Sequence, residues 1–158
     1  MVMIELEIPG FGLLALSHLV SDYNGTLAVD GALIPGVREK LHILAGLLDV
    51  HIVTADTFGI ARRELAGIHC ALHILEGENH DRQKADYVER LGGAGVVALG
   101  NGRNDSLMLA AARLGIAVTE KEGCAVAALT SADILVHSAL DGLDLLLNPG
   151  RLKATLRI

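Results

Sequence analysis

The chain has 158 residues, of which 51% are hydrophobic, 20% charged and only 3% aromatic. These values are typical of one globular domain with an aliphatic core, and they exclude a disordered chain or a small disulfide scaffold. Thirteen basic and nineteen acidic residues give a formal net charge of −6, which argues against a nucleic-acid partner. Cys70 and Cys124 lack C-x-x-C spacing, so we predict two buried thiols in a reducing compartment rather than a redox pair.

The start of the chain and its apolar runs bear on localisation. The first ten residues contain Glu5 and Glu7 and no basic side chain, which does not fit a signal peptide. No apolar run reaches the roughly 18 residues needed to span a bilayer. We therefore expect one domain over residues 1–158, located in the cytoplasm and without a membrane partner.

Short apolar runs alternate with amphipathic segments along the chain. Residues 4–8 alternate in polarity like a half-buried strand, and Pro9 ends the run. The segments that follow are, in chain order, a strand at 13–21, a helix after Pro35-Gly36, a strand at 50–53, a helix at 58–65, an apolar run at 71–75, a helix at 81–91, a strand at 96–99, a helix at 106–114, a strand at 116–118, and apolar runs at 125–129, 134–136 and 140–147. This order predicts a three-layer, Rossmann-like α/β fold: a parallel sheet with helices on both faces, plus an extra N-terminal strand or hairpin.

Ligands of such sheets bind beyond the carboxyl ends of the strands, and this rule selects four loops. In the first loop, Asp22 ends an apolar strand and is a candidate nucleophile. The Thr54 hydroxyl lies at the equivalent position of the next strand, where it could bind an anionic oxygen. Lys84 lies near the start of a helix and could neutralise a phosphoryl group.

The fourth loop, G-N-G-R-N-D, brings Asn101 and Asp105 to a strand end. Their oxygens are hard ligands of the kind that Mg²⁺ prefers. Each loop alone has a structural explanation, such as an Asx turn or a helix cap. Four such loops in this order, each after a predicted strand, favour a phosphoryl-transfer site instead.

These residues resemble the motifs of the haloacid dehalogenase superfamily of phosphoryl-transfer enzymes. Asp22 with the following G-T-L looks like the first motif, and Thr54 and Lys84 look like the second and third. The resemblance is closer still to the phosphorylation domain of P-type ATPases. T-A-D-T-F-G-I-A looks like its T-G-D segment, G-N-G-R-N-D resembles its G-D-G-x-N-D stretch, and S-A-D-I-L-V resembles a later strand. The resemblance covers residues 15–147.

The resemblance implies a mechanism and a set of roles. Asp22 would attack phosphorus and form an aspartyl phosphate. The residues implied to bind the phosphoryl group are Asp22, Gly25, Thr54, Ala55, Lys84 and Asn104. The residues implied to bind Mg²⁺ are Asp22, Asn24 through its backbone carbonyl, Asn101 and Asp105.

Two positions depart from the family pattern. Asn24 stands where phosphatases of the family have an Asp that protonates the leaving group, and such general acid–base help is worth roughly 10²–10⁴-fold in rate. Asn101 replaces the first Asp of the fourth motif and is a weaker ligand for Mg²⁺. We therefore expect a slow phosphohydrolase or phosphotransferase. The alternatives are a catalytically impaired regulatory module that binds phosphate and magnesium, and a flavodoxin-like nucleotide-binding domain.

The motifs are too closely spaced for the inserted cap domain that many relatives carry. An open site would admit a phosphorylated small molecule or a phosphoprotein, or would be enclosed by a second subunit of a homo-oligomer. Other polar residues have weaker claims. Asp56 could tune the site or cap a helix, His80 and Arg103 could reach its rim, and the H-C-A-L-H segment is weak evidence for zinc.

Overall fold

The computed structural model describes residues 3–158, which form ten strands and seven α-helices. The strands are β1 (Ile4–Ile8), β2 (Gly12–Leu16), β3 (His18–Asp22), β4 (Ala28–Val29), β5 (Ala32–Leu33), β6 (Asp49–Thr54), β7 (Ala71–Ile74), β8 (Val96–Gly100), β9 (Leu114–Val118) and β10 (Ile134–Val136). The helices are α1 (Val37–Leu44), α2 (Ile60–Glu64), α3 (His80–Arg90), α4 (Ser106–Ala111), α5 (Val126–Ser131), α6 (Ala139–Leu147) and α7 (Pro149–Leu156). No helix among these residues is long and apolar enough to cross a membrane.

Six strands form one sheet in the order β10-β9-β8-β3-β6-β7, and every neighbouring pair is parallel. From β3 the chain builds one side of the sheet with β6 and β7, and then crosses over to build the other side from β8. The carboxyl ends of β6, β3 and β8 therefore lie side by side at the point where the strand order reverses, which is where ligands bind in open α/β sheets.

Helices cover both faces of this sheet, as the alternation of strands and helices predicted. On one face, Leu19, Ile52 and Leu99 join a core with α1, α2, α6 and α7. On the other, Val20 and Val53 join a core with α3, α4 and α5. Successive side chains of a strand point to opposite faces, so apolar runs without alternation are what a sheet covered on both sides requires.

The predicted strand over residues 13–21 is wrong in one respect, because the structure has two strands there. Ser17 separates β2 from β3: its N–H donates to the Gly95 carbonyl, and its own carbonyl accepts from the Asp49 N–H, at 2.8 and 2.9 Å. β2 pairs with β1 in an antiparallel hairpin, and only β3 enters the central sheet. The N-terminal hairpin that the sequence left open as an alternative is therefore present.

The predicted helix over residues 106–114 is too long. α4 ends at Ala111 because Ala112 is extended, and the Arg113 N–H donates to the Gly93 carbonyl at 2.8 Å. β9 then begins at Leu114. The prediction that both thiols are buried is wrong. Cys70 and Cys124 are free and partly exposed. Their partial burial raises the pKa of both thiols.

Three elements, β4, β5 and α7, were not predicted. The hairpin of β4 and β5 turns at Asp30 and Gly31, both with positive φ, as a two-residue hairpin loop requires. α7 begins with Pro149 in its first turn. Only this hairpin and α1 lie between β3 and β6, and only α2 lies between β6 and β7. The described part of the chain therefore contains no inserted cap domain.

Candidate active site

Seven polar or charged residues are buried in the part of the chain that the structure describes. They are Ser21, Asp22, Thr26, Thr54, Lys84, Asn101 and Asp105. All of them lie in or next to the loops at the carboxyl edge of the sheet. Because burying polar groups costs free energy unless they are paired, their concentration at one edge makes that edge the candidate functional site.

The centre of the site is a buried cluster of three charged side chains. The Lys84 ammonium lies 3.0 Å from Asp22 Oδ1 and 2.7 Å from Asp105 Oδ1. The side chains of Lys84 and Asp105 are 3% and 0% exposed, whereas that of Asp22 is 11% exposed. Asp22 is therefore the carboxylate of this cluster that a ligand can reach.

The pKa values of this cluster reflect its burial. Burial, and then the neighbouring Asp105, raise the pKa of Asp22 to about 7, although Lys84 acts in the opposite direction. Burial by itself would lower the pKa of Lys84, but the two carboxylates outweigh it and the pKa is raised. Lys84 thus stays charged, and its charge stabilises the ionised form of Asp22.

Asp105 fixes the loop that follows β8. Its Oδ2 accepts the backbone N–H groups of Asn101 and Gly102 at 3.0 and 2.9 Å, while Oδ1 accepts from Lys84. Both oxygens of the predicted ligand Asp105 are thus engaged by N–H donors. Gly100 permits this arrangement, because a Cβ there would lie 2.6 Å from the Asp105 Cβ and Cγ.

Two side-chain oxygens of the predicted magnesium ligands lie next to the same hydroxyl group. Thr26 Oγ1 lies 3.2 Å from both Asp22 Oδ2 and Asn101 Oδ1. The Asn101 amide nitrogen donates to the Gly123 carbonyl at 3.1 Å, which aims its oxygen towards Thr26. A hydroxyl has one hydrogen and can satisfy only one of the two acceptors at a time.

This surplus of hard oxygen acceptors beside a carboxylate fits a magnesium ion. Asp22 and Asn101 are the side chains that would hold the ion. The third predicted ligand, Asn24, is exposed in the loop after β3. No group of three or more His, Cys, Asp or Glu side chains within residues 3–158 is arranged to hold a metal.

Thr54 lies at the end of β6 and lines a cavity of about 430 Å³. The residue is 5% exposed, and its hydroxyl has no hydrogen-bond partner among the described residues. Ala55 and Asn24 line the same cavity. The structure therefore places the predicted phosphate-binding hydroxyl of Thr54 at an open space beside the Asp22 loop.

Gly25 is required by both conformation and space. Its φ is +80°, and a Cβ there would lie 2.6 Å from Glu122 Oε2 and 2.8 Å from Asn101 Nδ2. The loop after β9, which contains Glu122, therefore reaches the site. Neither Glu122 nor Thr26 was predicted as a site residue. The position of β9 beside β8 was the signal for Glu122, because the carboxyl-end rule applies to β9 as well.

The remaining candidates have distinct places. Asn104 accepts a hydrogen bond from Lys84 at 3.2 Å and therefore adjoins the charged cluster. Asp56 caps α2, since its two oxygens accept from the N–H groups of Ala61 and Arg62 at 2.7 and 3.2 Å. His80 and Arg103 line a second cavity, of about 490 Å³, together with Asn104.

The amino-acid sequence was compared with those of known proteins and protein families. No protein-family model matches the chain. An uncharacterized protein of Methanocaldococcus jannaschii is 52% identical over 62 residues, which are 39% of this chain and 67% of that protein. A probable copper-transporting ATPase of Arabidopsis thaliana is 35% identical over 124 residues, which are 77% of this chain but only 12% of the ATPase. The chain thus resembles a small part of a much larger protein.

Solved structures share the fold at low sequence identity. A cobalt-bound deoxy-D-mannose-octulosonate 8-phosphate phosphatase of Haemophilus influenzae has a TM-score of 0.70 and 13% identity, over 90% of this chain and 94% of that one. The 3-deoxy-D-manno-octulosonate 8-phosphate phosphatase of Moraxella catarrhalis, solved with magnesium, phosphate and KDO, has a TM-score of 0.68 and 17% identity over the same shares. A protein of Streptomyces avermitilis assigned to the HAD (haloacid dehalogenase) hydrolase family has a TM-score of 0.67 and 17% identity, over 85% and 87%.

The architecture is therefore a Rossmann-like α/β fold with a parallel central sheet. More specifically, the chain has the haloacid dehalogenase fold in its capless form, which confirms the resemblance that the four loops suggested.

Proposed function

We propose that the protein is a magnesium-dependent phosphohydrolase or phosphotransferase that works through a phosphorylated Asp22. The observation that carries the proposal is the buried cluster of Asp22, Lys84 and Asp105 at the strand-order reversal. A carboxylate kept beside a buried cation, and accessible on one side, is suited to attack an electrophile that bears negative charge.

Each residue has a defined part in the proposed reaction. An Asp22 oxygen forms a bond to phosphorus while the bond from phosphorus to the leaving oxygen breaks. Lys84 and the Thr54 hydroxyl, both adjacent to the Asp22 loop, would hold the phosphoryl oxygens. In the second half, a water oxygen bonds to phosphorus and the Asp22–phosphorus bond breaks, so that inorganic phosphate leaves and the carboxylate is restored.

A bound magnesium ion, held by Asp22 and Asn101 with the Asn24 carbonyl and Asp105 as further predicted ligands, would offset the negative charge of the phosphoryl group. The fold supports this part of the proposal through its neighbours: the Moraxella catarrhalis phosphatase was solved with magnesium and phosphate.

Asn24 limits the substrates that we expect. An amide cannot protonate a leaving oxygen, so that oxygen must depart as an anion. Esters with good leaving groups, such as acyl phosphates and nitrophenyl phosphate, should react, whereas simple alkyl phosphates should react slowly. For the same reason no side chain at position 24 activates water, and the phosphorylated Asp22 should be long-lived.

The test is release of nitrophenol from p-nitrophenyl phosphate with magnesium in excess. We expect turnover by the natural protein and none by Asp22→Asn. Asp86→Asn is the matched control, because it makes the same chemical change at an exposed carboxylate of α3. Activity that survives in Asp22→Asn would contradict the proposal. No turnover by the folded natural protein would favour a regulatory module that binds phosphate and magnesium without hydrolysis.

A further inference from the structure

The cavity beside Thr54 has an unusual charge distribution. Its charged side chains are Asp30, Asp56 and Glu122, and no Lys, Arg or His among residues 3–158 lines it. Thr54 lines this cavity with a hydroxyl that forms no hydrogen bond within residues 3–158, and this hydroxyl is accessible from the cavity because every buried side-chain nitrogen and oxygen of those residues has a partner. A ligand in this cavity can therefore reach the Thr54 hydroxyl next to the Asp22 loop.

Two of the three carboxylates are available to a ligand. Asp56 is engaged by the backbone N–H groups at the start of α2. Glu122 and Asp30 form no ion pair or side-chain hydrogen bond within residues 3–158, and both are exposed. Glu122 reaches the cavity over Gly25, three residues after the nucleophile. The wall of this cavity therefore carries negative charge that no cation of its lining offsets.

An aromatic side chain stands at the same cavity. Phe58, in the loop after β6, is 81% exposed, and Tyr23 and Ile60 also line the wall. The Arg63 guanidinium contacts this loop by donating to the Phe58 carbonyl at 3.5 Å, but the side chain does not line the cavity. An exposed aromatic face beside carboxylates is a combination that suits a cationic group.

We propose that the site selects phosphate esters and acyl phosphates whose leaving group carries a positive charge, such as an ammonium group, and that it discriminates against anionic leaving groups. This inference rests on the proposed phosphoryl transfer through Asp22 and specifies its substrate class. Glu122 and Asp30 attract the cation, and Phe58 provides an aromatic face for it.

The second cavity has no comparable excess of carboxylates. It is lined by His80, Asp81 and Arg103, but neither Asn24 nor Thr54 lines it. A leaving group placed there would meet one carboxylate and one guanidinium, which favour neither sign of charge. A clear preference for the cationic ester would therefore indicate that the leaving group enters the cavity beside Thr54.

The experiment compares three aryl phosphates: p-nitrophenyl phosphate, 4-(trimethylammonio)phenyl phosphate and 4-sulfophenyl phosphate. Each kcat/KM is divided by the rate of uncatalysed hydrolysis of the same ester, which removes the difference in leaving-group reactivity. We expect the cationic ester to exceed the anionic one by roughly tenfold or more at low salt, and the ratio to shrink as salt is added.

Charge-neutral variants identify the residues responsible. Glu122→Gln and Asp30→Asn should each reduce the ratio of cationic to anionic ester, and the double variant should reduce it further. Asn tolerates the positive φ of position 30 as Asp does, so the hairpin turn is preserved. Glu7→Gln, an exposed carboxylate on β1, should keep the ratio of the natural protein.

The outcomes separate the two proposals. Absence of Asp22-dependent turnover of p-nitrophenyl phosphate would overturn the proposed function. Normal turnover of that ester with equal rates for the two charged esters, or a preference for the anionic one, would overturn only the inferred substrate class. A cationic preference that the double variant leaves unchanged would also overturn it, because the charge would then come from elsewhere.

Discussion

Replacing Lys84 by Met should lower the free energy of unfolding, because it removes the cation between two buried carboxylates. The ammonium lies 3.0 and 2.7 Å from two carboxylates that are nearly or fully buried. Met keeps the length and packing of the side chain but removes the only buried cation among residues 3–158. Removing one partner of a buried ion pair leaves uncompensated charge and costs roughly 3–5 kcal/mol, which is a large share of a typical stability of about 5–15 kcal/mol.

The pH dependence of this loss has a defined sign. Burial already raises the pKa of Asp22 to about 7, and loss of Lys84 removes an interaction that lowers it. The folded variant therefore holds protons that the unfolded chain, with carboxyl pKa values near about 4, releases. The stability of Lys84→Met should fall as pH rises from about 5 to about 8, and its deficit relative to the natural protein should grow over that range.

The assay is urea unfolding followed by circular dichroism at several pH values. Lys40→Met is the matched control, since the Lys40–Asp144 pair has side chains 27% and 30% exposed and should contribute no more than about 1 kcal/mol. Equal losses of stability in Lys84→Met and Lys40→Met at about pH 8 would refute the reasoning.

Three further outcomes are expected. Asn24→Asp should accelerate hydrolysis of an alkyl phosphate, by up to roughly 10²–10⁴-fold, because a carboxylic acid can protonate the leaving oxygen; a folded variant without any gain would count against the assignment of this position. Gly100→Ala should lower the free energy of unfolding by about 1–3 kcal/mol, because its Cβ would lie 2.6 Å from Asp105; Gly150→Ala, which meets no atom within 4 Å, should instead raise it slightly when both are measured by thermal unfolding. Burial, and then the neighbouring His18, lower the pKa of His51 in the folded state. His51 should therefore stabilise the fold at pH values above its unfolded pKa of about 6.5, and this contribution should be lost at lower pH. His51→Asn should flatten the pH dependence of the free energy of unfolding in this range, and an unchanged pH dependence would contradict the lowered pKa of His51.

Local patterns were sufficient to select most of the buried polar residues that form the candidate site. Five of the seven buried polar residues were predicted from one rule, because each follows an apolar run or opens a helix: Asp22, Thr54, Lys84, Asn101 and Asp105. Thr26 was missed because a threonine in a turn has a sufficient local explanation. Its contact with Asn101 joins residues 75 positions apart, and no pattern near Thr26 indicates that contact.

The errors in the predicted fold also arose where local sequence patterns carry no information about tertiary contacts. β4 and β5 contain two residues each, which is too short for an alternation of polar and apolar residues, although the D-G turn was visible. The break at Ser17 lies within a continuous apolar stretch, and only hydrogen bonds to Gly95 and Asp49 reveal it. Tertiary partners, rather than sequence pattern, decided both cases.

Asn24 and Asn101 together change the charge balance of the site. The buried charges are two carboxylates and one ammonium, a net charge of −1. Aspartates at both positions would add two negative charges. A bound magnesium ion would cancel these two charges and leave the site with a net charge of −1. With amides instead, a bound magnesium ion leaves the pocket net positive, so the site should hold a phosphoryl dianion tightly while binding the metal less tightly. Because position 24 offers no acid or base to remove the phosphoryl group, we expect the proposed phosphorylated Asp22 state to accumulate.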